Sequence, residues 1–368
     1  MLSLCLETTR SSFQWENSAK MGIREYFGAG IENLVGLDVG SSSVKVAVIS
    51  SRGGKNPRLE YYRRQILPPG SIVENSIHNK HLVAQTIENL FPVKRFRRHR
   101  IATALSSDSV ILKKLLLPNH RDAEIPSSVR WEIAQQFPGE LDEMNCDYSV
   151  LNERRGDRPL EILLVAARKE KIAELNEVIR MAGLKPAVVD VDALVLHNLY
   201  LFTHDSSETE VEAVLNVGAR ITNVNILRGD SLLLTRYLLA GGNRYDQHVQ
   251  EQSGLPSIQA FSCVGPEGPF ALSDRANAIR DTINRSLALE IKKIFTYFKT
   301  TFNTPRIEAI RMCGGGSHIP GLPESLSQLL ELPVYTLDPI GNLDSKYVST
   351  EANSALAIGL ALRLLLRK

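Results

Sequence analysis

Between residues 35 and 49 the chain reads VGLDVGSSSVKVAVI, with apolar positions recurring at every second residue on both sides of a glycine and three serines. Val35, Leu37 and Val39 precede the break and Val44, Val46 and Val48 follow it, which predicts two half-buried strands joined by a tight turn. A second stretch, AVLNVGARITNVNIL at 213–227, repeats the pattern. With Leu215 placed on Leu37, Asn216 falls on Asp38, Val217 on Val39, Gly218 on Gly40 and Val224 on Val46, a constant offset of 215 − 37 = 178 residues. An internal repeat of this kind predicts a duplicated architecture. A third stretch, IEAIRMCGGGSHIPGL at 307–322, is a strand running into a triple glycine, with a helix predicted from Pro323.

Between the first two stretches, helices are predicted at 81–90, 122–137, 169–182 and 192–201. Strands are predicted within 100–117, on either side of SSDS, and at 148–151, 161–166 and 188–191. From residue 100 the order β-β-α-β-β-α-β reads as one α/β module of its own. Further on, Ile279, Ile283, Leu287, Ile294 and Phe298 form the buried stripe of a long helix at 275–302. Glu290 and Lys293 lie one turn apart on another face, where an isolated surface ion pair contributes about 0.3–0.5 kcal/mol. Residues 254–270, rich in Gly and Pro, read as loop. Residues 1–34 read as a frayed extension, although Ile23, Phe27, Ile31 and Leu34 keep helical spacing and Met21 offers a second start.

A chain of 368 residues is too long for one small core, so two or more domains are expected. The net charge of +2 argues against wholesale nucleic-acid binding. The basic run KRFRRHR at 94–100 is a solvated helix end by default, and a contact for phosphate or anionic lipid otherwise. Cys5, Cys146, Cys263 and Cys313 are far apart and form no CxxC pair, which with no secretory signal suggests reduced thiols in a cytoplasm. No apolar stretch reaches the roughly 18 residues that span a bilayer. His78 and His81 have no further ligand cluster to make a metal site.

The chemistry gathers in the turns. Gly40 permits a tight bend, and Ser41, Ser42 and Ser43 set hydroxyls beside exposed amides, a cradle suited to phosphate oxygens. Lys45 adds a positive charge, and Asp38 can hold hydrated Mg2+ through its waters. The plainer alternative is an ordinary hairpin whose serines only satisfy the turn. Two such turns face to face would grip a polyphosphate, and Gly314, Gly315 and Gly316 let a backbone pass flat against a planar group such as a purine.

In this order and spacing the three stretches resemble the actin/Hsp70/sugar-kinase superfamily: its phosphate-1 loop at 37–45, phosphate-2 loop at 215–222 and adenosine motif at 313–317. Within it, IPSSVRWEIAQQFP, DEMNCDYSVL, EILLVAARKEKIAELNEVIRMAGLKPAVVDVDAL and ANSALAIGLALR are similar to the PilM family of the FtsA/PilM branch, over roughly residues 35–368. The resemblance implies an α/β, actin-like (ribonuclease H-like) fold of duplicated domains around a nucleotide cleft, with a 1C subdomain. It implies an extension at 1–34, subdomain 1A at 35–98, 1C at 99–187, a return to 1A at 188–209, 2A at 210–250, 2B at 251–305 and 2A again at 306–368. ATP or ADP with Mg2+ would then meet Asp38, Gly40, Ser41, Ser42, Ser43 and Lys45 on one side, with Asp38 on the metal through water. Asn216, Gly218 and Arg220 would lie opposite, and Gly314, Gly315, Gly316 and Ser317 would back the adenosine. Glu290 and Lys293 would meet ribose and adenine, and Asp192 would orient the attacking water.

One departure bears on activity. The family's phosphate-2 aspartate is Asn216 here, and an amide supplies neither negative charge nor a base. Arg220 replaces a small residue, and its guanidinium either clamps a phosphate or fills the pocket. Phosphoryl transfer is mostly positioning and electrostatics, so binding without brisk hydrolysis is expected. The resemblance implies a cytoplasmic scaffold of the type IV pilus inner-membrane complex, peripheral to the membrane. It would capture the N-terminal tail of a PilN-like protein between subdomains 1A and 1C, with pilus motor or assembly ATPases as further partners. The rivals are an active ATPase or small-molecule kinase, for which Asp190 and Asp192 are the candidate catalytic carboxylates, a filament-forming protein, and the equivalent scaffold of a type II secretion system.

Overall fold

A computed structural model describes residues 34–52, 55–91, 99–118, 124–136, 138–151, 159–204, 209–245, 247–248, 274–302, 306–345 and 352–363. The extension at 1–33, residues 94–98 of the basic run and the 254–270 loop lie outside them.

The alternation at 35–49 forms β1 (Leu34–Val39) and β2 (Ser43–Arg52), antiparallel, and β3 (Lys55–Ile66) continues the meander. β6 (Arg100–Leu105) joins β1 in parallel, and β10 (Lys185–Val191) joins β6 in parallel. With the short β16 (Asp344–Ser345) the sheet order is β10-β6-β1-β2-β3-β16. The second sheet repeats this plan. β11 (Val211–Val217), β12 (Thr222–Arg228) and β13 (Ser231–Leu238) form the antiparallel meander, while β14 (Ile307–Cys313) and β15 (Val334–Thr336) add parallel strands, in the order β13-β12-β11-β14-β15.

The register is duplicated as well. Asp38 faces Lys45 across β1–β2, and Asn216 faces Asn223 across β11–β12, each 178 residues on. Gly40 N donates to Ser43 O at 3.1 Å, and Gly218 N to Ile221 O at 2.9 Å, so both turns close with the same bond.

The proposed free-standing module at 100–191 requires correction. Its first and last strands, β6 and β10, belong to the large first sheet. What stands apart is β7 (Val110–Leu117), β8 (Met144–Val150) and β9 (Leu160–Arg168), in the order β7-β9-β8, with α2 (Ile125–Gln136) over one face. Leu115, Ile125, Val129, Ile133, Ile162 and Leu164 make its own small core. Strand alternation puts Leu112, Leu163 and Val165 on the other face, where they join the main core of the first half.

Helices α4 (Asp192–Thr203) and α7 (Ala355–Leu362) pack against each other between the two large sheets. α7 is apolar all round, as a helix covered on every side must be, while α4 is buried along most of its length with Asp192 and His197 hydrogen-bonded inside. α7 lies on β1 so closely that a Cβ at Gly36 would overlap the Ala357 carbonyl. The long helix forms as the stripe predicts, α5 (Asp274–Phe302), with Ile283, Leu287, Ile291 and Phe298 buried. α1 (Lys80–Asn89) starts at an Asn79 side-chain cap. α3 (Lys169–Met181) follows β9, and α6 (Leu322–Leu330) follows β14 after one 3-10 turn, Gly315–His318.

Candidate functional site

The second turn and the triple glycine meet because β11 and β14 pair in parallel, with Asn216 opposite Cys313. Gly314 has φ +85°, and a Cβ there would run into Asn216 Oδ1 and come within 2.5 Å of the Val217 carbonyl oxygen. A Cβ at Gly316 would overlap the Val217 side chain. Two of the three glycines are therefore demanded by contact with β11 itself. Only Gly315 faces open space, with nothing within 4 Å of its would-be Cβ. The Ser317 hydroxyl donates to the Gly314 carbonyl at 2.7 Å and closes the turn.

The first hairpin comes to the same place. Burial pushes the Cys313 thiol up to about 12, and the nearby positive charge of Lys45 pulls the other way, so Lys45 lies within electrostatic reach of the end of β14. The 3-10 turn Ala352–Ser354, which leads into α7, links the halves further: it packs against Gly315–His318, and Tyr62 of β3 donates to Asn353 Oδ1 at 2.9 Å.

Within the first hairpin, Lys45 Nζ donates to Asp38 Oδ2 at 2.7 Å, and both side chains are nearly buried. The other carboxylate oxygen of Asp38 makes no hydrogen bond among the described residues. Ser41 and Ser42 are half-buried on the turn, while Ser43 is buried as the first residue of β2. These groups fit a phosphate and a hydrated cation in kind: hydroxyls on a closed turn, one ammonium and one carboxylate oxygen. The second hairpin carries no charge at the matching pair. Asn216 stands where Asp38 does, and Asn223 where Lys45 does.

Arg220 is not free to clamp a phosphate as it stands. Its Nη2 makes an ion pair with Asp108, in the 3-10 turn Ser107–Ser109 that follows β6. Sequence reasoning missed Asp108, because its partner is distant in the chain and nothing local marks the pairing. Asp192, at the first turn of α4, accepts from Ser107 Oγ and, at 2.8 Å, from Asn223 Nδ2. Burial raises its pKa from 3.8 to about 6, against the opposing pull of these hydrogen bonds. Both carboxylate oxygens are already engaged. Asp190 is paired with Arg363 at 2.8 Å deep in the core, a structural role.

Glu290 does not pair with Lys293 in the surface bridge that the sequence suggests. It accepts from Arg244 Nη1 at 3.0 Å, and Lys293 is exposed. That partner is informative. Gly242 N and Asn243 N donate to the Gly218 and Ala219 carbonyls at 2.9 and 2.7 Å, so the chain just before Arg244 lies against the second turn. The structure thus gathers Asp38, Lys45, Asn216, Gly218, Arg220 and the glycine turn around one region, with Glu290 tied to it through Arg244. Among the described residues no group of three or more His, Cys, Asp or Glu side chains could hold a metal, and no helix is long and apolar enough to cross a membrane.

A family model described as Type IV pilus assembly protein PilM matches residues 36–365. A solved structure of the PilM-PilN type IV pilus biogenesis complex is similar to this chain at 26% identity, covering 91% of it and 99% of that chain, with a TM-score of 0.80. The ethanolamine utilization protein EutJ from Carboxydothermus hydrogenoformans matches at 12% identity over 89% of this chain and 88% of that one, TM-score 0.54, a likeness of fold alone. The duplicated sheets with two helices packed between them are those of the actin-like ATPase fold.

Proposed function

The chain belongs to the type IV pilus assembly protein PilM family, and on that premise we propose that it is an actin-like scaffold of the inner-membrane assembly complex. It holds ATP or ADP with Mg2+ between its two hairpins, turns the nucleotide over slowly or not at all, and captures the cytoplasmic tail of a PilN-like membrane protein. One observation carries the nucleotide part: the first hairpin has the charged pair Asp38–Lys45, and the second has Asn216 and Asn223 at the matching positions. A cleft charged on one side keeps groups suited to phosphate and a hydrated cation. It lacks the second carboxylate that would help hold a metal and position water. Asp192 is saturated by Ser107 and Asn223, which further disfavours an active ATPase or kinase.

The partner part is supported by the likeness to a PilM-PilN complex and by one surface. Across β7–β9, Leu116 faces Glu161 and Lys114 faces Leu163, on the side of the three-stranded sheet turned toward the first half. Leu116 is 71% exposed there. A sheet face with an exposed leucine, an ammonium and a carboxylate suits an extended tail with apolar and charged side chains. On this division subdomain 1C supplies one wall and 1A the other.

Fluorescence anisotropy with a labelled peptide of the membrane partner's cytoplasmic tail tests the proposal. Saturable binding is expected, weakened at least about tenfold by Leu116→Asp. A tail that is ignored while a soluble substrate turns over would establish the kinase alternative instead.

A further inference from the structure

The 3-10 turn Ser107–Ser109 closes on the second hairpin at two consecutive residues. Ser107 reaches Asp192, which also holds Asn223 of β12. Asp108 takes Arg220, from the turn that joins β11 to β12. The Asp108 and Arg220 side chains are 11% and 23% exposed, so their bridge between the halves is only partly screened by water.

Asp108 is also aimed from behind. Asn75 Nδ2 donates to Asp108 Oδ1 at 3.2 Å from the small hairpin of β4 (Ile72–Val73) and β5 (Ser76–Ile77). That hairpin is anchored to α3: Lys171 Nζ donates to the Asn75 carbonyl at 2.9 Å and to Ser76 Oγ at 2.6 Å, and Ile77 N donates to Glu174 Oε1 at 3.0 Å. β7 begins at Val110, immediately after the turn. The carboxylate that occupies Arg220 therefore sits at the root of the three-stranded sheet.

Carboxylate and phosphate oxygens satisfy a guanidinium in the same way. We propose that Asp108 is a built-in competitor for Arg220. A ligand bearing phosphate at the second turn draws the guanidinium away from Asp108 and thereby releases the second hairpin from the root of the three-stranded sheet. This rests on the nucleotide reading above and adds its regulation. The coupling is reciprocal: whatever holds the sheet root against Arg220 weakens phosphate binding by the factor with which phosphate loosens the root.

The test is isothermal titration of the full chain with ATP and Mg2+, for wild type, Asp108→Asn, Arg220→Gln and the double variant. Asp108→Asn is expected to bind about tenfold tighter than wild type, and Arg220→Gln and the double variant are expected to bind equally. Hydrogen exchange at residues 107–117 rises in ligand-free Asp108→Asn and in wild type with ATP. If Asp108→Asn does not fold, Asp108→Ser keeps an acceptor for Asn75 and carries the same expectation.

Wild type that binds ATP no more weakly than Asp108→Asn overturns the competitor and leaves the nucleotide reading standing. A gain that persists in the Arg220→Gln background also overturns it, since the effect is then the field of a carboxylate and not a competition. Folded proteins that take up no ATP in either form overturn both.

Discussion

The two hairpins share a backbone and differ in what the backbone carries. Residues 38–45 and 216–223 have the same register and the same turn-closing bond, yet one ends in a nearly buried Asp–Lys pair and the other in two amides. Charge at the first hairpin is satisfied within the hairpin itself. At the second, Asn223 Nδ2 and the Arg220 guanidinium are met from the first half of the molecule, by Asp192 and Asp108. Duplication fixed the geometry, and divergence left one hairpin with an internal ion pair and made the other an inter-half joint.

The largest expected effect tests why a glycine turn closes on the second hairpin, where the first half has Ser107–Ser109 after its equivalent strand. Gly314→Ala should cost about 4 kcal/mol, combining a left-handed backbone with a clash against Asn216 and Val217. Gly315→Ala should stay within about 0.5 kcal/mol, and urea denaturation of both variants would separate packing from ligand contact.

Next comes the joint. Asp192 binds its proton more tightly folded than unfolded, so its contribution to stability is full below pH 4 and falls as pH rises through about 6. A shift from 3.8 to about 6 corresponds to about 3 kcal/mol. The stability of wild type relative to Asp192→Asn should therefore fall by up to that amount between pH 4 and 7. A flat difference would mean that the carboxylate titrates normally.

Lys45→Met leaves Asp38 without its partner and should cost about 2 kcal/mol, whereas Asn223→Met at the matching position removes no ion pair and should move the ionic-strength dependence of unfolding much less. The smallest effect is a transplant: Asn216→Asp and Asn223→Lys, each unfavourable alone, should show a favourable coupling of about 1 kcal/mol in a double-mutant cycle. No coupling would mean that the matched register does not bring those side chains together.

Much of this was legible in the chain. The hairpins, their offset of 178 and the long helix α5 follow from period-2 and period-3.6 patterns, which are local. The assignment of β6 to the large sheet was not, because a short apolar run does not say which sheet it joins, and for β10 only the family resemblance, with its return to 1A at 188–209, pointed there. The same limit hid the partners of charged residues. Arg220 finds Asp108 and Glu290 finds Arg244 only through the tertiary fold, and Glu290 passes over Lys293, its neighbour by spacing. Gly314 and Gly316 illustrate a subtler gap: the glycines read as room for a ligand, and two of them are room for β11.

The unequal hairpins are proposed to bind nucleotide without turning it over briskly. Calorimetric titration with ATP and Mg2+, with phosphate release followed in the same sample, tests it most directly. Saturable binding that Lys45→Met abolishes, with turnover far below about 1 per second, is the expected result. Absence of binding in folded protein, or turnover at about 1 per second or faster, would contradict it.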